Sequence, residues 1–239
     1  MTGVSRKIKK SILPALLVML FLFAGGCSFS RGDAADPEIY SFPGVNGAAN
    51  SYILASAGKA ALIDAAAPDE IIAALEKNKL QPVYLILTHG HFDHILGVDQ
   101  IRRRFPGIRV LIHPDDIDKL ADAEKNLSTM FGTKVELKAE AEPLKEWAHL
   151  KLGRVSFEVI ATPGHSAGSV SMQVGDILFT GDTLFKGSVG RTDFPGSSPE
   201  AMAVSLQKLK ALPDQSRVLP GHGGPTTLGE EKKSNPSLQ

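Results

Sequence analysis

The chain has 239 residues, and its 26 Lys and Arg balance 26 Asp and Glu, so it is formally neutral at pH 7. Beyond the first ten residues no basic patch appears, which argues against a nucleic-acid partner. A single cysteine, Cys27, rules out an internal disulfide.

The chain opens with Arg6, Lys7, Lys9 and Lys10, followed by a 12-residue apolar run from Ile12 to Phe23 and then Ala24-Gly25-Gly26-Cys27. Twelve residues are short for a membrane span, which needs roughly 20. The pattern resembles a bacterial lipoprotein signal, with residues 1–26 removed and lipid placed on Cys27. It implies an exported protein of the cell envelope, anchored in the membrane through Cys27. The rival readings are an uncleaved anchor and plain secretion. Without the leader, 22 basic residues face 26 acidic ones, a net charge of −4. Residues 27–37 read as a tether, and 38–239 as one catalytic domain of about 200 residues, within the usual single-domain range.

Within that domain, Asn50 opens an apolar strand, and Ala61-Leu62-Ile63 ends in Asp64. Pro68–Lys79 reads as a helix, with Asp69 and Glu70 at its positive end. The apolar run Val83–Leu87 reads as a buried strand. It leads into Thr88-His89-Gly90-His91-Phe92-Asp93-His94, then a helix over Ile95–Phe105. Three of the seven histidines therefore share one loop at a strand end. His89 and His91 are two apart and face the same way in extended backbone. Asp93 and His94 lie further on and can aim at a second point. Imidazole with carboxylate suits zinc, iron or manganese.

A third helix is expected over Asp115–Lys125, then strands near 155–160, 169–174 and 177–180. His165 follows the first of these strands, Asp182 the last, and His222 follows Val218-Leu219-Pro220-Gly221. Each lies just past a strand, beside a glycine that permits close backbone approach. His113 and His149 read as ordinary surface or packing residues. Gly187–Ser198 is rich in glycine and proline and reads as a loop at a pocket rim. Ser198 caps a helix over Pro199–Leu212, whose Met202, Leu206 and Leu209 form a core stripe. The expected fold is α/β: a four-layer αββα sandwich, two sheets face to face with helices outside.

HGHFDH, a lone His, a GD-T and a GHG, in this order, resemble the metallo-beta-lactamase superfamily. GDTLFKGSVGRTDFPG and GHGGPTTLGEEKKSNP resemble its short glyoxalase II-like (hydroxyacylglutathione hydrolase-like) members. The resemblance runs from about Tyr40 to Pro236. It implies two divalent metal ions, zinc first, with iron or manganese as alternatives. His89, His91 and His165 would hold one ion, and Asp93, His94 and His222 the other. Asp182 would bridge them, and Asp64 would brace the ligand loop without touching metal.

The implied activity is hydrolysis of a small-molecule thioester or similar ester. A hydroxide held between the metals would attack the carbonyl carbon, with Asp93 and Asp182 as catalytic residues. In glyoxalase II, a lysine and a tyrosine at nine and eleven positions after the bridging aspartate touch glutathione. Here those positions are Arg191 and Asp193. Arg191 is either a substrate clamp or half of a loop salt bridge. Only 17 residues follow His222, so the C-terminal helical domain of the longer enzymes is not expected. Alternatives are a mononuclear-iron persulfide dioxygenase, a lactone or ester hydrolase, and a non-catalytic metal- or ligand-binding lipoprotein. Beta-lactamase activity fits less well, because those enzymes usually replace a second-site histidine.

Overall fold

The structure is a computed structural model that describes residues 37–44, 47–146 and 148–239. The basic and apolar stretches of residues 1–26, Cys27 and nearly all of the tether lie outside the described residues. No helix among the described residues is long and apolar enough to cross a membrane. All described residues belong to one unit, Ala35–Gln239.

Alternation along the strands builds the fold. In β2 (Ser51–Ser56) and β3 (Lys59–Ile63), Tyr52, Leu54, Ala61 and Ile63 point one way, and Ile53, Ala60 and Leu62 the other. Both sets are buried, which marks strands covered on both faces. β1 (Glu38–Phe42), β2, β3, β4 (Gln81–Ile86), β5 (Arg109–Ile112) and β6 (Glu142–Pro143) form one six-stranded sheet in that order. β7 (His149–Leu152), β8 (Val155–Ala161), β9 (Val170–Val174), β10 (Ile177–Gly181), β11 (Arg217–Pro220) and β12 (Thr226–Thr227) form the second, also in sequence order.

Three apolar layers follow. Leu54, Ile86, Phe157, Met172, Phe179 and Leu219 fill the space between the sheets. α1 (Pro68–Lys77) and α3 (Val98–Arg104) lay Ile71, Leu75, Val98 and Ile101 on the outer face of the first sheet. α4 (Pro199–Lys210) lays Met202, Leu206 and Leu209 on the outer face of the second. The four-layer sandwich expected from the sequence is the observed architecture. The Ser198 hydroxyl accepts the Ala201 N–H at 3.1 Å, capping α4 as its position implies.

Two expected helices differ. Ile95–Phe105 is not one helix: α2 (Phe92–Ile95) stops, and α3 starts at Val98. The cause is Ala65, whose N–H takes the His94 carbonyl at 2.8 Å and whose carbonyl takes the Gly97 N–H at 2.7 Å. A Cβ at Gly97 would sit 2.6 Å from the Pro68 Cβ, so the break needs glycine. The segment expected as a helix over Asp115–Lys125 is instead a 3₁₀ turn, Pro114–Ala121, followed by irregular chain. There the Asp122 carboxylate accepts the N–H groups of Glu124 and Lys125, and the Asn126 side-chain Oδ1 accepts that of Ser128. Side-chain acceptors of this kind compete with helix continuation.

Candidate metal centre

Parallel pairing places the functional loops together. β3 and β4 run parallel, so Asp64 and the Thr88–His94 loop leave the first sheet side by side. β10 and β11 also run parallel, with Gly181 opposite Pro220, so Asp182 and His222 emerge next to each other. The two sheets are stitched at this edge. The Val170 N–H donates to the Thr88 carbonyl at 2.9 Å, and the Asn50 N–H to the Gly221 carbonyl at 2.6 Å. The Asn50 amide donates to the carbonyls of Pro220 and Gly223, both at 2.9 Å, a structural role.

All seven expected donors converge here. Ligand atoms of His89, His91 and His165 lie within 4.8 Å of one another, as do those of Asp93, His94 and His222. His89, His94 and Asp182 form a third such group between them. The Asp182 carboxylate approaches histidines of both sets: Oδ1 is 3.3 Å from His94 Nε2, and Oδ2 is 3.4 Å from His165 Nε2 and 3.5 Å from His222 Nε2. His89 Nε2, His94 Nε2 and Asp182 Oδ1 are buried with no hydrogen-bond partner. Buried polar atoms are rarely orphaned. A divalent cation would satisfy all three, so the donor set fits metal. His113 and His149 stand apart: His113 Nδ1 accepts the Asp115 N–H at 3.3 Å, and His149 is exposed on the outermost strand β7.

The histidines are oriented from behind. The Asp64 carboxylate takes His94 Nδ1 at 2.7 Å and also accepts the Thr88 N–H and hydroxyl, both at 2.8 Å. Bracing the loop and capping the strand end are thus one function. Asp64 itself sits at φ +58°, a conformation costing on the order of 1 kcal/mol that the surrounding bonds hold in place. His165 Nδ1 donates to the Arg191 carbonyl at 2.8 Å, which turns its Nε2 toward Asp182.

Charge is distributed to suit cation binding. Burial, with the neighbouring histidines, holds His89 well below the usual histidine range and His91 at about 3. Burial opposes ionisation of Asp182 and Asp93, but the surrounding histidines outweigh it and lower both carboxyls. Burial likewise opposes charge on His94, but Asp64, Asp182 and Asp93 prevail and raise it well above its ordinary value. Neutral imidazoles and ionised carboxylates are the forms that bind metal, so His89, His91, Asp93 and Asp182 are ready to ligate, while His94 must release a proton as the ion enters.

Sequence reasoning missed Asp116. Its fully buried carboxylate accepts Gly90 N at 2.8 Å, Gly168 N at 3.0 Å, Ser166 Oγ at 2.7 Å and Lys119 Nζ at 2.7 Å. It therefore ties the His89–His91 loop to the His165 loop. Asp116→Ala is expected to weaken metal binding by about 10- to 100-fold, the usual effect of removing a group that orients ligands. Titration against a chelating dye measures this, and unchanged affinity would deny Asp116 that role.

Residues 44–222 match the family profile of the metallo-beta-lactamase superfamily. The chain belongs to the metallo-beta-lactamase superfamily. It is 38% identical over 195 residues to the probable metallo-hydrolase YqgX of Bacillus subtilis (strain 168), covering 80% of this chain and 92% of that one. It is 34% identical over 188 residues to the hydroxyacylglutathione hydrolase GloC of Haemophilus influenzae, covering 75% and 87%. The crystal structure of the B3 metallo-beta-lactamase BLEG-1 is similar with a TM-score of 0.79 at 34% identity, covering 84% of this chain and all of that one. TTHA1623 in a di-iron-bound form gives 0.74 at 34% identity, covering 82% and 98%. The superfamily is one of metal-dependent hydrolases that bind divalent ions.

A cleft sits over these donors. It has a volume of about 610 Å³, and its lining includes His91, Asp93, His165, Asp182 and His222. Arg191 also lines it, but its guanidinium is engaged. Nε and Nη2 donate to the two Asp193 oxygens, both at 2.8 Å, and the group lies 4.3 Å from the Phe194 ring centroid. Of the two readings of Arg191, the loop salt bridge is the arrangement observed.

Proposed function

We propose that this chain is a dinuclear metallohydrolase that cleaves thioesters or similar esters. The observation that carries this reading is the position of Asp182, whose two oxygens reach histidines of both donor sets at the floor of the cleft. His89, His91 and His165 would hold one ion, Asp93, His94 and His222 the other, and Asp182 would be shared. Bound divalent ions supply Lewis acidity and bring the ionisation of water to near-neutral pH. The protein orients and shields. Asp93, kept ionised and facing the cleft, is placed to accept a hydrogen bond from the attacking water. Apolar cleft walls keep other water from the carbonyl. A thiolate leaving group needs little protonation, since a thiol pKa is roughly 8.5.

The likeness to GloC supports a thioester substrate, and that to TTHA1623 supports an iron-competent site. The likeness to BLEG-1 favours β-lactam hydrolysis as a second reading. The test is turnover of S-lactoylglutathione and of a chromogenic cephalosporin by one preparation, with bound metal counted. Thioester cleavage with about two metals per chain is expected. Cephalosporin cleavage alone would replace this reading with the second. One iron per chain and no hydrolysis would point to persulfide oxidation.

The N-terminal pattern ending at Cys27 supports an exported, lipid-anchored protein, with 27–37 as tether and 38–239 as catalytic domain. Mass spectrometry of the membrane-extracted protein should find a lipid on Cys27 and no residues 1–26. A bare Cys27 would defeat that assignment.

A further inference from the structure

We infer, building on the thioesterase reading, that the substrate carries an apolar acyl chain and is recognised without a charged clamp on its thiol portion. The cleft leading to the donors is walled by Phe92, Leu96, Leu127, Phe131, Phe185 and Phe194. Phe92 and Phe131 pack ring to ring, with centroids 5.3 Å apart. Among the described residues only four large hydrophobic side chains are exposed, and three of them group here. Leu96 (44% exposed) and Phe131 (57%) line the cleft, and Met130 (60%) adjoins Phe131 in sequence. Apolar side chains left in water beside a reactive centre mark a surface that gains by covering. The occupant assigned to it is the acyl chain, because the wall is continuous with the donors that would face the acyl carbonyl.

Charge points the same way. Arg191 is the only Lys or Arg among the described residues lining the cleft, and both Asp193 oxygens already neutralise it. A substrate carboxylate arriving there meets a pair of no net charge, so electrostatic recognition of a glutathione-like carboxylate is weak. An acyl chain gains instead by burying methylene groups, each of which strengthens binding severalfold when fully covered.

The experiment uses the full-length, metal-loaded protein and S-butanoyl- and S-octanoyl-N-acetylcysteamine, with S-lactoylglutathione as competitor. In parallel, binding of the uncleavable S-butyl and S-octyl thioethers of N-acetylcysteamine is measured by calorimetry. A rise in kcat/KM of about tenfold or more from butanoyl to octanoyl is expected. Phe131→Ser, and independently Leu96→Ser, should cut that ratio to below about threefold, and neither side chain is part of the buried core. Preference for S-lactoylglutathione over the octanoyl thioester, or turnover that ignores chain length, would overturn the inference while leaving the hydrolase reading intact. No turnover of any thioester, with octyl binding still stronger than butyl, would uphold the apolar cleft and remove the thioesterase reading. Chain-length-independent binding with no turnover would remove both.

Discussion

Asp182→Ala should abolish binding of a second metal ion per chain and lower turnover by about a thousandfold or more, the scale seen when a group that organises transition-state charge is lost. The expectation follows from position. Among the described residues, Asp182 is the only carboxylate within 3.5 Å of histidines from both donor sets, reaching His94, His165 and His222. Without it, four buried histidines remain crowded together, and nothing negative stands between two cations. Elemental analysis should find at most one metal per chain, with near-normal secondary structure by circular dichroism. Two metals retained with full turnover would show that Asp182 does not bridge.

Gly221→Ala should be nearly as damaging, although it removes no donor. A Cβ at this position would collide with Asp182 Oδ1 and stand 2.8 Å from His94 Cε1. Relief by backbone movement is blocked on both sides. The Gly221 carbonyl accepts the Asn50 N–H at 2.6 Å, and its N–H donates to the Gly181 carbonyl at 2.8 Å. The donors must therefore move instead. A forced repacking of this kind costs about 1–3 kcal/mol, and the displacement of two ligands should reduce activity at least a hundredfold. Gly224→Ala is the matched control, because a Cβ there meets nothing within 4 Å. Equal metal content and kcat/KM in the two variants would contradict the steric account.

The donors were legible because each is local: a His or Asp beside a glycine, just past an apolar strand. His89, His91, His165, Asp182 and His222 have that signature, Asp93 and His94 follow it directly in the same loop, and the fold brings all seven together. The layered architecture was legible for a similar reason, since runs such as Ala60–Ile63 are apolar on both faces. Asp116 was not, because its importance comes from partners at positions 90, 119, 166 and 168, which no sequence window joins. The break at Gly97 was hidden because it depends on Ala65 and Pro68 crossing above it. The helix expected from Asp115 failed because Asp122 and Asn126 offer their own acceptors to the backbone. For Arg191 the sequence left two roles open, and its pairing with Asp193 became visible only in three dimensions.

The donors are divided between the sheets: His89, His91, Asp93 and His94 follow strands of the first, while His165, Asp182 and His222 follow strands of the second. An ion that draws on both loops is also a rivet through the sandwich. At a free concentration a hundred times its Kd, it would add about 2.7 kcal/mol to the folded state. Under metal starvation the chain would then open more often and meet proteases more often. Scarcity would deplete the protein itself as well as its activity, so its abundance would follow the local supply of metal.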